Sequence, residues 1–129
     1  MSVPGVPSAQ WLPYARRDWK RALLLQREHD PDGAGMHLQQ SVETYLKGWL
    51  LDRGWRLIKT HEVDRLLDDT RAHDPSLHGF RSLCERLSGY YLLERYPVPS
   101  PGGPDEAQIT ADVAEARQLI VALFPGESL

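Results

Sequence analysis

The chain has 129 residues, the ordinary size of one domain, and its 41% hydrophobic and 26% charged residues exclude a disordered or fibrous protein. A formal net charge of −3 argues against a protein whose main task is to coat nucleic acid, and no apolar run is long enough to cross a bilayer. Cys84 is the only cysteine, which excludes an intrachain disulfide. The opening MSVPGVPSAQ lacks the charged and apolar regions of a signal peptide, so a cytoplasmic location is expected.

Residues 1–10 are expected to be flexible. A first helix then begins near Pro13, a residue tolerated in a first turn, with Ala15, Trp19, Ala22 and Leu25 in one apolar stripe. The run His29-Asp30-Pro31-Asp32-Gly33 should end it. A second helix is predicted from about Ala34 to Arg53, burying Leu38, Val42, Tyr45, Leu46, Trp49 and Leu50, with Gly54 placed as its C-terminal cap. Gln40, Glu43 and Lys47 share another face of it, and Glu43 precedes Lys47 by the four residues that favour a helical ion pair.

Thr60 has the character of an N-cap for a short third helix edged by Val63, Leu66, Leu67 and Thr70. Asp74-Pro75 opens a fourth, carrying Leu77, Phe80, Cys84, Leu87 and Tyr91 at helical spacing. Residues 97–109 form a Pro/Gly-rich loop, and a last helix opens at Thr110 with Ile109, Val113, Ala116, Ile120 and Leu123 inward. Period-2 alternation is scarce. The pattern therefore predicts one all-α domain, an antiparallel up-and-down bundle of four long helices plus a short one.

Charge is unevenly placed. Arg16, Arg17, Lys20, Arg21 and Arg27 stand against Asp18 in the first helix, while Asp105, Glu106, Asp112, Glu115 and Glu127 stand against Arg117 at the end. Such segments either lie beside each other or face different partners.

The ordered set of Trp11 to Trp19, HLQQSVETYLKGWL (37–50), KTHEVDRLL (59–67), YYLLERYP (90–97) and ITADVAEARQLI (109–120) resembles the HEPN family, named for higher eukaryotes and prokaryotes. The resemblance implies a commonly dimeric helical bundle, so a homodimer is expected. It also implies pairing with a small nucleotidyltransferase-like protein and binding of nucleotide or RNA. Some members are toxins that cleave RNA without metal, through an arginine followed four to six residues later by histidine, two copies meeting across the dimer.

That chemistry needs a histidine to move the 2′-hydroxyl proton and an arginine to hold the phosphate. Arg56 to His61 and Arg71 to His78 match the spacing, but roughly one such match arises by chance at this composition. In a family toxin the pair is expected near Arg95, and no histidine follows it. A binding module is therefore favoured over the two alternatives, a ribonuclease toxin of a two-component system and a scaffold that only dimerises. No cysteine pair, His-Glu-x-x-His or phosphate loop is present, so no metal and no cofactor are expected.

The candidate binding residues are Arg95, Tyr91, Tyr96, Gln40, Glu43, Lys47, Lys59 and His61. Gln40, Glu43 and Lys47 either bond within the bundle or line a groove with Lys59 and His61 toward a nucleotide or RNA backbone. Arg95, among Tyr90, Tyr91 and Tyr96, either closes the fourth helix by stacking and ion pairing or contacts phosphate between tyrosines that stack on bases.

Overall fold

The computed structural model describes residues 8–93 and 103–129, and every regular element among them is a helix. Helix α1 (Ser8–Arg27) starts five residues ahead of Pro13, which lies inside it. Two facts allow this. Asp52 Oδ1 accepts the Ser8 backbone N–H at 2.9 Å, and Ala9, whose carbonyl the missing Pro13 N–H would serve, is exposed to water. The expected flexible stretch thus overlaps α1 at residues 8–10.

The break before α2 (Pro31–Leu51) is only three residues long. Asp30 accepts from the Gly33 N–H at 3.0 Å, so Pro31, Asp32 and Gly33 form the first turn of α2 and do not interrupt it. α1 ends on His29 with φ 60°, and α2 ends in the same way on Gly54 with φ 81°. Each end carries the paired bonds of a left-handed cap: Asp30 N to Leu25 O at 2.9 Å with His29 N to Gln26 O at 3.1 Å, and Trp55 N to Leu50 O with Gly54 N to Leu51 O, both at 3.1 Å. α1 and α2 run antiparallel, fastened by Ser41 Oγ donating to Ala15 O at 2.8 Å and by His37 against Asp18 at 3.1 Å.

Residues 52–62 then run back along the bundle, so α3 (Val63–Arg71) follows α2 in the same direction. Gln39 donates to His61 O at one end, and Trp55 Nε1 donates to Asp69 at 2.9 Å at the other. Strict up-and-down alternation therefore fails at this one connection, because eleven residues are long enough to cross. Thr60 Oγ1 accepts from the Glu62 N–H at 3.1 Å, just before the helix. Ser88 of a neighbouring helix caps α3 itself, accepting from Val63 N at 2.9 Å.

Asp74 does cap the next segment, accepting from Ser76 N at 3.1 Å, but Pro75–Phe80 winds as a 3-10 turn before α4 (Arg81–Tyr90). The two segments follow each other without a break, Phe80 leading directly into Arg81. Tyr90, not Tyr91, takes the buried position, its hydroxyl donating to Asp112 at 2.7 Å. α5 (Glu106–Leu123) starts four residues before Thr110, because Asp105 caps it by accepting from Gln108 N at 2.7 Å. Ile109, Val113, Ala116, Ile120 and Leu123 are buried as the spacing predicts, and Phe124 ends the helix ahead of Pro125.

The basic and acidic segments lie beside each other. α5 runs antiparallel to α1, with Gln26 Nε2 donating to Thr110 at 3.1 Å and Arg16 pairing with Glu127 at 2.6 Å. Tyr45 donates to the same Glu127 carboxylate at 2.7 Å and packs on Phe124, so residues 124–127 clasp α1 to α2. Among the described residues no helix is long and apolar enough to cross a membrane.

Candidate functional site

The polar face of α2 is built around Glu43. Its Oε2 receives the Lys47 ammonium at 2.9 Å, one turn on, while Oε1 receives Gln39 Nε2 at 2.9 Å, one turn back. Lys47 and Glu43 side chains are only 9% and 13% exposed, so the pair is largely withdrawn from solvent. His61, arriving on the returning segment, puts Nδ1 3.0 Å from Glu43 Oε1. An ionised carboxylate can only accept, so Nδ1 donates to Glu43. The His61 ring stacks on Tyr91, with centroids 3.9 Å apart and planes 13° from parallel.

A second acid–imidazole pair adjoins the first. Asp18 of α1 meets His37 of α2 at 3.1 Å, both largely buried. Asp18, Gln40, Glu43, Thr44, His61 and Tyr91 line an open cavity of about 270 Å³. Below it, Gln39 Oε1 is buried without a hydrogen-bond partner, while its amide nitrogen serves both Glu43 and His61 O. Among the described residues no group of three or more His, Cys, Asp or Glu is placed to hold a metal ion.

The HEPN domain family model matches residues 8–120, nearly the whole of the chain. The chain belongs to the HEPN domain family. Among solved structures it is similar to TT1696 from Thermus thermophilus, at 21% identity over 90% of this chain and 94% of that one, with a TM-score of 0.74, a likeness of fold. No curated protein matches it.

In this HEPN domain the sequence-derived candidates divide. Glu43, His61 and Tyr91 come together as neighbours, and Gln40 lines the cavity without bonding to Glu43. Lys47 is paired with Glu43 and largely buried, and both Lys47 and Lys59 lie outside the lining. Arg95 and Tyr96 lie outside the described residues. Four participants were missed: Asp18, His37, Gln39 and Thr44. Only Gln39 carried a local signal, since it precedes Glu43 by four residues.

Neither spacing match assembles a nuclease pair in the cavity. His61 lines it but Arg56 does not, and Arg71 is bound to Asp68 at 3.2 Å while His78 sits exposed on the 3-10 turn. Cys84 supplies no thiolate nucleophile: burial pushes its thiol up to about 12.

Proposed function

We propose that this HEPN domain is a cytoplasmic binding module that takes nucleotide or RNA at the α1–α2 face, works as a homodimer, and partners a small nucleotidyltransferase-like protein. The observation that carries the reading is the cavity itself, lined by Asp18, by the Glu43–His61 pair and by the His61–Tyr91 stack, with no complete nuclease pair among the described residues. Base stacking on aromatic rings is the usual anchor of single-stranded nucleic acid. Exposed Tyr14, Leu24, Leu57, Leu92 and Val121 leave apolar area for a second copy or a partner.

Fluorescence anisotropy with a labelled single-stranded RNA tests the binding. Arg95→Ala is expected to weaken it by about 1.5–3 kcal/mol, the range for a hydrogen bond to a charged group, and Arg95→Lys to recover part. No binding at moderate salt defeats the reading. Light scattering at micromolar concentration should give twice the 14.7 kDa chain mass, and a monomer at all concentrations removes the homodimer.

A further inference from the structure

Among the described residues, Asp18 and Thr44 offer hydrogen-bond acceptors to the cavity. Asp18 is 7% exposed; its Oδ1 faces His37, and its Oδ2 makes no hydrogen bond or ion pair with any described residue. Thr44 donates its hydroxyl proton to Gln40 O at 2.9 Å, leaving oxygen lone pairs. The Gln40 side-chain amide brings donors and acceptor alike.

Charge points the same way. Asp18 and Glu43 bring two carboxylates to the wall, and Lys47 counters one of them. Among the described residues, a phosphate placed here meets no uncommitted cation and a repelling carboxylate. A planar group rich in N–H donors meets acceptors on several sides and a flat stacked pair, His61 on Tyr91, beside it.

We infer that this cavity receives a planar N–H/NH2 edge, the donor fork carried by a guanine base or by a guanidinium group, on the free oxygen of Asp18 with Gln40 and Thr44 alongside. Carboxylate matches this fork because both donors point at acceptors. Adenine fits badly, since it sets a ring lone pair next to its amino group and would turn that lone pair on the carboxylate. The guanine source rests on the proposed nucleotide binding, and the guanidinium source does not.

Calorimetric titration of the full chain with guanosine, inosine, adenosine, N-acetylarginine amide and inorganic phosphate tests this. Guanosine is expected to bind, inosine and adenosine at least ten-fold more weakly, and phosphate neither to bind nor to compete. Asp18→Asn should reduce guanosine affinity at least ten-fold. Because Asp18 also holds His37, circular dichroism must confirm the variant's fold. Independently of any variant, guanosine should shift wild-type backbone amide resonances at Asp18, Gln40, Thr44 and His61. Arginine amide binding there in place of guanosine, with the same dependence on Asp18, keeps the inferred chemistry and withdraws nucleotide binding from this cavity. Adenosine binding as tightly as guanosine, competition by phosphate, or no binding by guanosine or arginine amide overturns the inference. If the labelled RNA binds while these residues do not shift, the inference falls and the nucleotide reading stands.

Discussion

His61 Nδ1 rests 3.0 Å from Glu43 Oε1, on the carboxylate whose other oxygen holds Lys47 at 2.9 Å. One acid thus orients the cavity's imidazole and compensates a largely buried ammonium. Glu43→Gln keeps an acceptor but strips the charge, stranding Lys47, and is expected to cost about 3 kcal/mol in urea unfolding. Replacing both, as Glu43→Leu with Lys47→Met, should return stability to within about 1 kcal/mol of wild type. A single-variant loss below about 1 kcal/mol would show the pair to be as weak as a surface one.

Helix interiors were legible because their signal is local. Leu38, Val42 and Leu46 on α2, and Ile109, Val113 and Ala116 on α5, repeat at helical spacing and are buried. The ends were less legible because distant residues supply the caps. Ser88 caps α3 and Asp52 serves the first N–H of α1, and no window around Thr60 or Pro13 contains either. Distance in the chain separates the site residues too. The face shared by Gln40, Glu43 and Lys47 was visible, yet Asp18 and His37 meet only because α1 folds back on α2. Arg95 and Tyr96, singled out for their aromatic surroundings, have no described geometry.

Two helical glycines should respond oppositely to alanine. A Cβ at Gly35 would lie 3.1 Å from Tyr90 Cδ2 and 3.4 Å from the Pro104 ring. Tyr90 is fixed through its hydroxyl to Asp112, so it yields poorly, and Gly35→Ala should destabilise by about 1–2 kcal/mol. Nothing lies within 4 Å of a Cβ at Gly89, so Gly89→Ala should stabilise by about 0.5–1 kcal/mol. Denaturant midpoints moving in the same direction for both would contradict this packing.

Ribonuclease activity in the presence of chelator is expected to be absent, since no histidine follows Arg95 and, among the described residues, neither His61 nor His78 stands with an arginine in the cavity. Metal-independent cleavage of single-stranded RNA that is lost on His61→Ala or His78→Ala would reverse that view and restore the toxin alternative.

Glu127 gives the fold a pH dependence. The Arg16 guanidinium holds its carboxyl below the ordinary range, burial opposes this, and the Tyr45 hydroxyl adds to the lowering. A carboxyl with a depressed folded pKa stabilises fully above its unfolded value and loses that contribution as pH falls through the folded one. Glu127→Gln should therefore cost about 1–2 kcal/mol at pH 7, the lower end because Arg16 is half exposed. The gap between variant and wild type should close as pH drops below about 4. A gap unchanged at low pH would mean that Tyr45 and packing, not charge, hold the clasp.

His29 occupies a glycine's place. Its φ of 60° matches the 81° of Gly54, and the flanking hydrogen bonds of the two helix ends correspond one for one. A side chain with a Cβ is strained there, and what it returns is a contact of Nδ1 with Glu106 at 2.8 Å between two exposed groups, worth little in water. His29→Gly should therefore stabilise by about 1 kcal/mol, raising the melting temperature by about 4 °C. His29→Ala separates the two effects, since it removes the Glu106 contact while keeping the Cβ, and should bring no gain. If both variants melt alike, the left-handed turn carries no strain at this position, and the reason for expecting glycine there is gone.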